Sequence, residues 1–437
     1  MELLSVPARA RPSSPRGIVL LIGYLEGGGA ERQCYLLARG LRGAGQRVTV
    51  VTENARGVAR KDYADIGVEV EVLKPAPGGS VAFASKVART LRSFSRLPAV
   101  LRRLRPVVVQ AFLPRSNCAA CFFRGSAGVP IVIASHRYAG SATWNYDVGQ
   151  AFEAVLCRRA DVNLANSVGV AQHLRRRLRL PAGTIDIVAN GVEPLSPETC
   201  RRDRTAARRD LELGDEELAI VKVANLWPYK GYQDLIEALA RVRDAGVETR
   251  AFFIGGDRGF GTVLSAQIAE LGLSDTIRFL GERSDVCALL PAFDIYVSAS
   301  RGEGMSNAVM EAMQHALPIV GSRVAGTPEL LDHGAAGCLF EPGDVNGLAD
   351  AILDLARDPA KRRRLGAAAE VRIREEFSEE LMVRGTLEVY ARAARARGLP
   401  DAAREFSEAA GRIAGAPRQP PASVGNSGIA GIAGTPP

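Results

Sequence analysis

Apolar positions along the chain come in short runs of strand length, each followed by a polar or glycine-bearing loop and then by a stretch whose apolar residues recur with helical period. The run 17–22 predicts a buried strand, 26–29 a glycine loop and 30–41 a helix, and further strands are predicted at 48–52, 68–73, 107–111, 131–135 and 162–165. From 194 to 217 the chain is charged, carries two prolines near its start and lacks strand alternation, which predicts a linker. The alternation then restarts. Strands are predicted at 219–224, 250–254, 277–280, 295–299, 318–321 and 337–340, with helices at 232–245, 263–271, 286–292, 306–314, 328–332 and 345–357. The pattern predicts two α/β, doubly wound domains in tandem, with a ligand cleft between the carboxyl ends of their strands. The expected boundaries are a flexible leader at 1–16, a first domain at 17–195, a linker at 196–217, a second domain at 218–375, a helical segment at 376–410 and a disordered tail at 411–437. The late helix 379–397 either caps the second domain or crosses back to the first.

A content of 47% hydrophobic and 24% charged residues fits a globular protein and excludes a wholly disordered or collagen-like chain. No apolar run approaches the roughly 20 residues a membrane-spanning helix needs. The arginine- and proline-bearing leader lacks the features of a secretory signal, so cytoplasmic residence is expected. Seven scattered cysteines read as reduced, unbridged thiols. The C-x-x-C at Cys118 and Cys121 has no second pair at ligand spacing and reads as filler in an apolar helix.

Charge distribution adds more than the net +8. Between Lys74 and Tyr146 no acid occurs, while many lysines and arginines do, a field that would attract an anionic partner. Within it Phe83, Val87, Leu91 and Phe94 recur at helical spacing beside Lys86, Arg89, Arg92 and Arg96, with Pro98 breaking the run. This predicts a basic amphipathic helix that either lies on an anionic membrane surface or is an ordinary packed helix with a solvated face. Only 6% of residues are aromatic and no nucleic-acid reading motif occurs, so nucleic acid is not an expected partner.

The segment 300–313 holds the most informative chemistry: it ends a strand and opens a helix. Gly302 and Gly304 permit a sharp turn and a close backbone approach, and Ser306 and Asn307 suit a first helical turn. Such a helix start seats a phosphate or diphosphate. Glu303 and Glu311 would bracket that seat and accept hydrogen bonds from sugar hydroxyls, or else are a loop carboxylate and a solvated helix position. The glycine loop at 27–29 allows ligand approach at another helix start, but it does not fit the dinucleotide, P-loop or serine-hydrolase signatures. No D-x-D pair occurs, and the four histidines show no metal spacing, so no metal site and no cofactor are expected.

Glu303 and Glu311, with seven residues between them, resemble the E-x7-E signature of the retaining group 1 (family 4) glycosyltransferases of the GT-B fold. Other segments resemble that family in order: Gly27-Gly-Gly-Ala-Glu-Arg32, Asn190-Gly-Val192, Ala224-Asn-Leu-Trp-Pro-Tyr-Lys-Gly231, Phe279-Leu-Gly281 and Ala325-Gly-Thr-Pro-Glu329. The resemblance covers about residues 17 to 390. It implies two Rossmann-like domains, the first on the acceptor side and the second binding a nucleotide sugar. It also implies a reaction that moves a sugar, with retention, from a UDP- or GDP-sugar donor to a hydroxyl acceptor, lipid-linked or on a surface polysaccharide, at the inner face of the cytoplasmic membrane if the basic helix lies on it. Glu311 would hold the ribose, Glu303 with the amides of Ser306 and Asn307 the donor sugar, and Lys230 the diphosphate, with Gly28, Gly29 and Gly304 lining the site. His136, at a strand end, would contact the donor sugar. At Asn225 the family commonly has arginine, so either Lys230 and nearby amides suffice, helped by Arg283, Arg301 or Arg32, or diphosphate handling is altered. The competing readings are a nucleotide-sugar epimerase of the same architecture and a donor-binding scaffold without turnover.

Overall fold

The computed structural model describes residues 17–25, 28–54, 59–73, 94–139, 147–180, 182–195 and 203–413. The leader, the tail beyond 413 and residues 74–93, including Lys86, Arg89 and Arg92 of the basic segment, lie outside them.

Two parallel sheets form the framework. The first contains β1 (Ile18–Tyr24), β2 (Val48–Asn54), β3 (Glu69–Val72), β4 (Val108–Phe112), β5 (Ile131–His136), β6 (Val162–Ala165) and β7 (Ile185–Ile187), in the order β3-β2-β1-β4-β5-β6-β7. The second contains β8 (Ala219–Val223), β9 (Arg250–Ile254), β10 (Ile277–Gly281), β11 (Ile295–Ser298), β12 (Ile319–Ser322) and β13 (Cys338–Phe340), in the order β10-β9-β8-β11-β12-β13. Both are doubly wound, as the alternation predicts, and match the two Rossmann-like domains of the GT-B fold. The central strands β4 and β5 are buried along their whole length, which explains their continuous apolar runs. In each sheet the winding reverses beside the first strand, at β1/β4 and at β8/β11, leaving a crevice at the strand carboxyl ends.

Helix starts are set locally. Ser167, Ser306, Asp344, Asp358 and Ser378 each accept a hydrogen bond from an amide of the helix they precede. The stretch expected to be a linker contains a helix, Arg204–Asp210, whose buried Arg208 donates to the carbonyls of Ala292 (2.8 Å) and Glu217 (2.6 Å) in the second domain. Helix Pro359–Glu376 and the short strand β7 have no counterpart in the sequence reading, and the expected helical segment 376–410 is two helices, Glu379–Ala396 and Pro400–Arg412, the second running into the expected tail. Pro359 and Pro400 fall in first turns, where the missing N–H is harmless.

Pro98 sits in the first turn of helix Leu97–Leu104, with Leu97 and Leu101 buried; the run it is expected to break lies, up to Phe94, outside the described residues. One reading needs correction: Cys287 is disulfide-bonded, against the expectation that no cysteine is bridged. Cys34, Cys118, Cys121, Cys157 and Cys338 are free thiols.

Helix Glu379–Ala396 returns to the first domain. The crossing is tied by the Val192 amide to Phe377 O and the Glu379 amide to Val192 O, both 2.9 Å. Beyond it Met382, Val383, Leu387, Tyr390 and, on the following helix, Phe406 complete the apolar layer over β1, β2, β4 and β5. Gly40 permits the approach, since a Cβ there would overlap the Val383 side chain. Inside this layer Gln110 of β4 is satisfied by Tyr390, which donates its hydroxyl to Oε1 at 2.6 Å, and by Ser135 Oγ at 2.9 Å. Tyr390→Phe strands that buried amide oxygen and should destabilise the fold by about 1–2 kcal/mol, read as a lowered urea midpoint with an unchanged slope.

Candidate active site

The loops that leave β8 and β11 meet across the crevice of the second sheet. After β8 the chain turns through Pro228–Lys230 into helix Tyr232–Asp244, and Gly231 between them is left-handed (φ 67°), where a Cβ would overlap the carbonyl of Ala299. After β11 the loop 299–306 leads into helix Asn307–Gln314. The Lys230 ammonium lies 2.6 Å from Glu303 Oε1, and Ser300 Oγ donates to the same oxygen at 2.8 Å. Ser322 fixes the Ser300 carbonyl at 2.6 Å, and the Arg301 amide donates to Tyr229 O at 2.8 Å. Arg301 clamps the buried Asp234 with two bonds of 2.6 and 3.0 Å.

The first domain closes directly onto this loop. The Ala139 amide donates to Glu303 O at 2.6 Å, and at Gly304 a Cβ would overlap the Arg137 carbonyl. Gly304 is therefore demanded by a protein-to-protein approach, where the sequence reading invoked a ligand. Asn307 is similarly engaged: Nδ2 donates to Gly29 O at 3.0 Å, while Oδ1 accepts from Gln33 (3.2 Å) and Asn190 (2.9 Å). Asn190 also donates to Met305 O at 2.9 Å and accepts from Arg137 at 2.6 Å. Gly28 caps helix Gly29–Gly43, and its carbonyl accepts from the Arg32 amide at 3.0 Å. Ser306 caps the facing helix through its hydroxyl, which accepts from the Val309 amide.

Glu311 lies one turn further along, in a crevice shared with Arg32, Gln33, Gly191 and Glu193. Burial holds its carboxyl above the usual range; Arg32 opposes this and Glu193 adds to it. Arg32 itself pairs with Glu193, and Arg39 joins Glu193 (2.7 Å) to Glu379. The expected site residues thus form two groups, Lys230 with Glu303 and Gly28, Gly29, Asn307 with Glu311, connected through Gly304–Ser306. Asn225 stands apart: its Oδ1 accepts from the Gly256 amide at 2.9 Å and shapes the loop after β9.

His136 does not join them. It does end β5, but its ring is 4% exposed and turned into the first domain, with Nε2 3.1 Å from Asn163 Oδ1 and Nδ1 3.9 Å from Glu153. Burial lowers its pKa to about 4; the Asn163 bond opposes the shift, while Arg177 and His173 add to it. Strand-end position alone does not aim a side chain, because successive residues point to opposite faces. Sequence reasoning missed Ser300 and Lys222, the latter a lone cation within the apolar strand β8. Among the described residues no group of three or more His, Cys, Asp or Glu could hold a metal ion, and no helix is long and apolar enough to cross a membrane.

Comparison with known proteins places these residues in context. Residues 217–358 match the family model described as "Glycosyl transferases group 1", and residues 27–194 the one described as "Glycosyltransferase Family 4". N-acetyl-alpha-D-glucosaminyl L-malate synthase of Bacillus anthracis is 30% identical over 183 residues, 42% of this chain and 48% of that protein. A GDP-mannose-dependent monoacylated alpha-(1-6)-phosphatidylinositol monomannoside mannosyltransferase of Corynebacterium glutamicum is 28% identical over 230 residues, 49% and 58% of the two chains. The matched stretch thus spans about half the length of these relatives. The crystal structure of Anabaena HepE with UDP and glucose superposes with a TM-score of 0.73 at 21% identity, covering 85% of this chain and 99% of that one, which is a likeness of fold.

An imidazole that stays neutral in the folded state stabilises the fold above its unfolded pKa of about 6.5, and that stability is lost as pH falls toward about 4. Between pH 7 and pH 5 the loss attributable to His136 is about 2 kcal/mol. His136→Gln should therefore flatten the acid limb of the stability profile, measured by urea melts at both pH values, and an unchanged acid limb would contradict this.

Proposed function

The chain belongs to the group 1, family 4 glycosyltransferases of the GT-B fold, and from that membership we propose that it transfers a sugar from a nucleotide-sugar donor to an acceptor hydroxyl with retention of anomeric configuration. The observation that carries the proposal is the Lys230–Glu303 pair, 2.6 Å apart on the two loops that flank the switch point of the second sheet. Such crevices take nucleotide ligands. An ammonium there is suited to the charge that builds on a departing diphosphate, in a site walled off from water.

In this reading the donor diphosphate takes over the Lys230 ammonium and releases Glu303 to accept hydrogen bonds from the sugar. Ser300 keeps that carboxylate oriented during the exchange. The ribose lies against Glu311, and hydrogen bonds from its hydroxyls add to the pull of Arg32 in drawing the raised pKa back down. The nucleotide-side groups come from the second domain, and the first supplies the loop 137–139 that closes over the Glu303 backbone. Closure excludes water, so the activated sugar meets an alcohol in preference to hydrolysis. The acceptor hydroxyl attacks on the face the diphosphate leaves, and its proton passes to the departing phosphate oxygen. His136 is left a supporting role in the first domain, away from the donor.

The donor nucleotide is UDP or GDP, a reading supported by HepE, described with UDP, and by the corynebacterial relative, whose name gives GDP-mannose. That name, with its phosphatidylinositol monomannoside, also supports a lipid-linked acceptor. The test is a panel of UDP-, GDP- and ADP-sugars, scored by thermal shift and then by transfer of labelled sugar to membrane extract. Lys230→Ala and Glu311→Ala should each lower transfer at least tenfold with the melting profile retained; wild-type turnover from both variants would remove the assignments.

A further inference from the structure

Lys222 is the second lysine of the donor-side domain to lie near the crevice, and nothing above uses it. It sits on β8 in register with Phe253 of β9, and it is 2% exposed. Its ammonium rests 5.0 Å from the centroid of the Tyr232 ring. It takes part in no hydrogen bond or ion pair among the described residues, although a buried cation without a counter-ion is strongly disfavoured. The Tyr232 hydroxyl is already committed to Ala224 O.

The charged groups that reach it come from three elements. Lys230, in the turn 228–230, repels it, while Glu303 beyond β11 and Asp234 on helix Tyr232–Asp244 attract it. Neither acid is free to serve as its partner, because Glu303 is paired with Lys230 and Asp234 with Arg301. β9 offers only the Phe253 ring. Burial, reinforced by Lys230, lowers the Lys222 pKa to about 7, so near neutral pH the free enzyme holds it only partly charged.

We propose that Lys222 is a proton-linked specificity residue: it takes up a proton when a diphosphate occupies the crevice beside Lys230, and so supplies the second positive charge that Asn225 does not. The inference rests on the donor-binding reading given above. A bound diphosphate brings two negative charges, offsets the repulsion from Lys230 and attracts a second ammonium. By linkage, binding then consumes a proton above the free-state pKa and none well below it, where Lys222 is already charged.

Titration calorimetry of the full chain with UDP-glucose and GDP-mannose tests this. The diphosphate diesters of these donors do not themselves titrate between pH 6 and 8.5. The expected result is a Kd that weakens at least fivefold from pH 6 to 8.5, with binding heats at pH 8 that differ between buffers of low and high ionisation enthalpy. Lys222→Met should abolish both dependences and bind at every pH about as the wild type does at pH 8.5. Two other acids compete: Glu329, which accepts from the first domain's Gly169 amide at 3.1 Å and is pushed up to about 7 by burial, and Glu311, raised by burial, whose linkage has the opposite sign because it would release a proton on binding. Glu329→Gln should keep both dependences. A wild-type Kd flat with pH and equal heats in both buffers, or a dependence that survives in Lys222→Met, overturns the assignment of Lys222 alone. No binding of any sugar nucleotide overturns the donor-binding reading with it. If Lys222→Met does not fold, the titration of the Lys222 ε-methylene by NMR decides: a midpoint that rises on donor binding supports the proposal, and an unchanged one refutes it.

Discussion

An ammonium and a carboxylate meet across the reversal point of a parallel sheet, and the donor-side loops are shaped around them. Lys230 and Glu303 come from loops seventy-three positions apart in sequence and touch at 2.6 Å beyond the carboxyl ends of β8 and β11, which the backbone ladder already holds side by side. The backbone had to be shaped for this contact. Gly231 lets the turn after β8 pass beneath the Ala299 carbonyl, and Gly304 lets the loop after β11 run against Arg137. Both side chains are mostly shielded, with 17% and 12% of their surfaces exposed, so the pair feels less screening than a surface bridge. A ligand that carries negative charge can replace the carboxylate without leaving the ammonium unpaired, whereas water alone cannot do so as well.

Domain closure is built from neutral amides more than from charge. Between the domains Asn190 gives to Met305 O and Asn307, Gln33 gives to Asn307, and Asn307 gives to Gly29 O; within the first domain Arg137 holds Asn190 and Gln33 gives to Gly191 O. These contacts are directional and individually modest, about 1 kcal/mol each, which suits an interface that must open to exchange ligands. The ionic cluster of Arg32, Arg39, Glu193 and Glu379 lies at the edge of the same interface, next to the double crossing of the chain at Val192 and Ser378. At that crossing two backbone segments are hydrogen-bonded to each other.

Much of the framework was legible in the alternation of apolar runs because parallel strands buried on both faces leave an unmistakable signal, as in β1 and β4. β7 was not, since its three residues are all half-exposed, and helix Pro359–Glu376 was not, since its many charges blur its apolar face. At the site, a strand end followed by a helix start placed the loop with Glu303 and the helix with Glu311 where they are found, but gave no sign that the first domain's Gly29 and Gln33 would bond to Asn307 between them. His136 was misaimed for a different reason: what a strand-end residue faces depends on partners such as Asn163 and Glu153, which no local pattern reveals. Lys222 did carry a signal, a cation at an apolar position of a strand, and an interruption of that kind is worth reading as function.

Burial pushes several ionisable groups of the donor side toward their neutral forms: Glu311 and Glu329 are raised, and Lys222 is lowered. Beside them stand two ion pairs, Lys230 with Glu303 and Arg301 with Asp234. A lysine kept neutral by burial can ionise again once an anionic ligand supplies the missing counter-charge, whereas the same anion keeps a buried carboxyl neutral. Replacement of a permanently charged arginine by Asn225 is coherent in that setting. A fixed guanidinium attracts every anion at all pH values, whereas a cleft whose cations are paired or neutral until the diphosphate arrives reserves its attraction for the ligand that completes it.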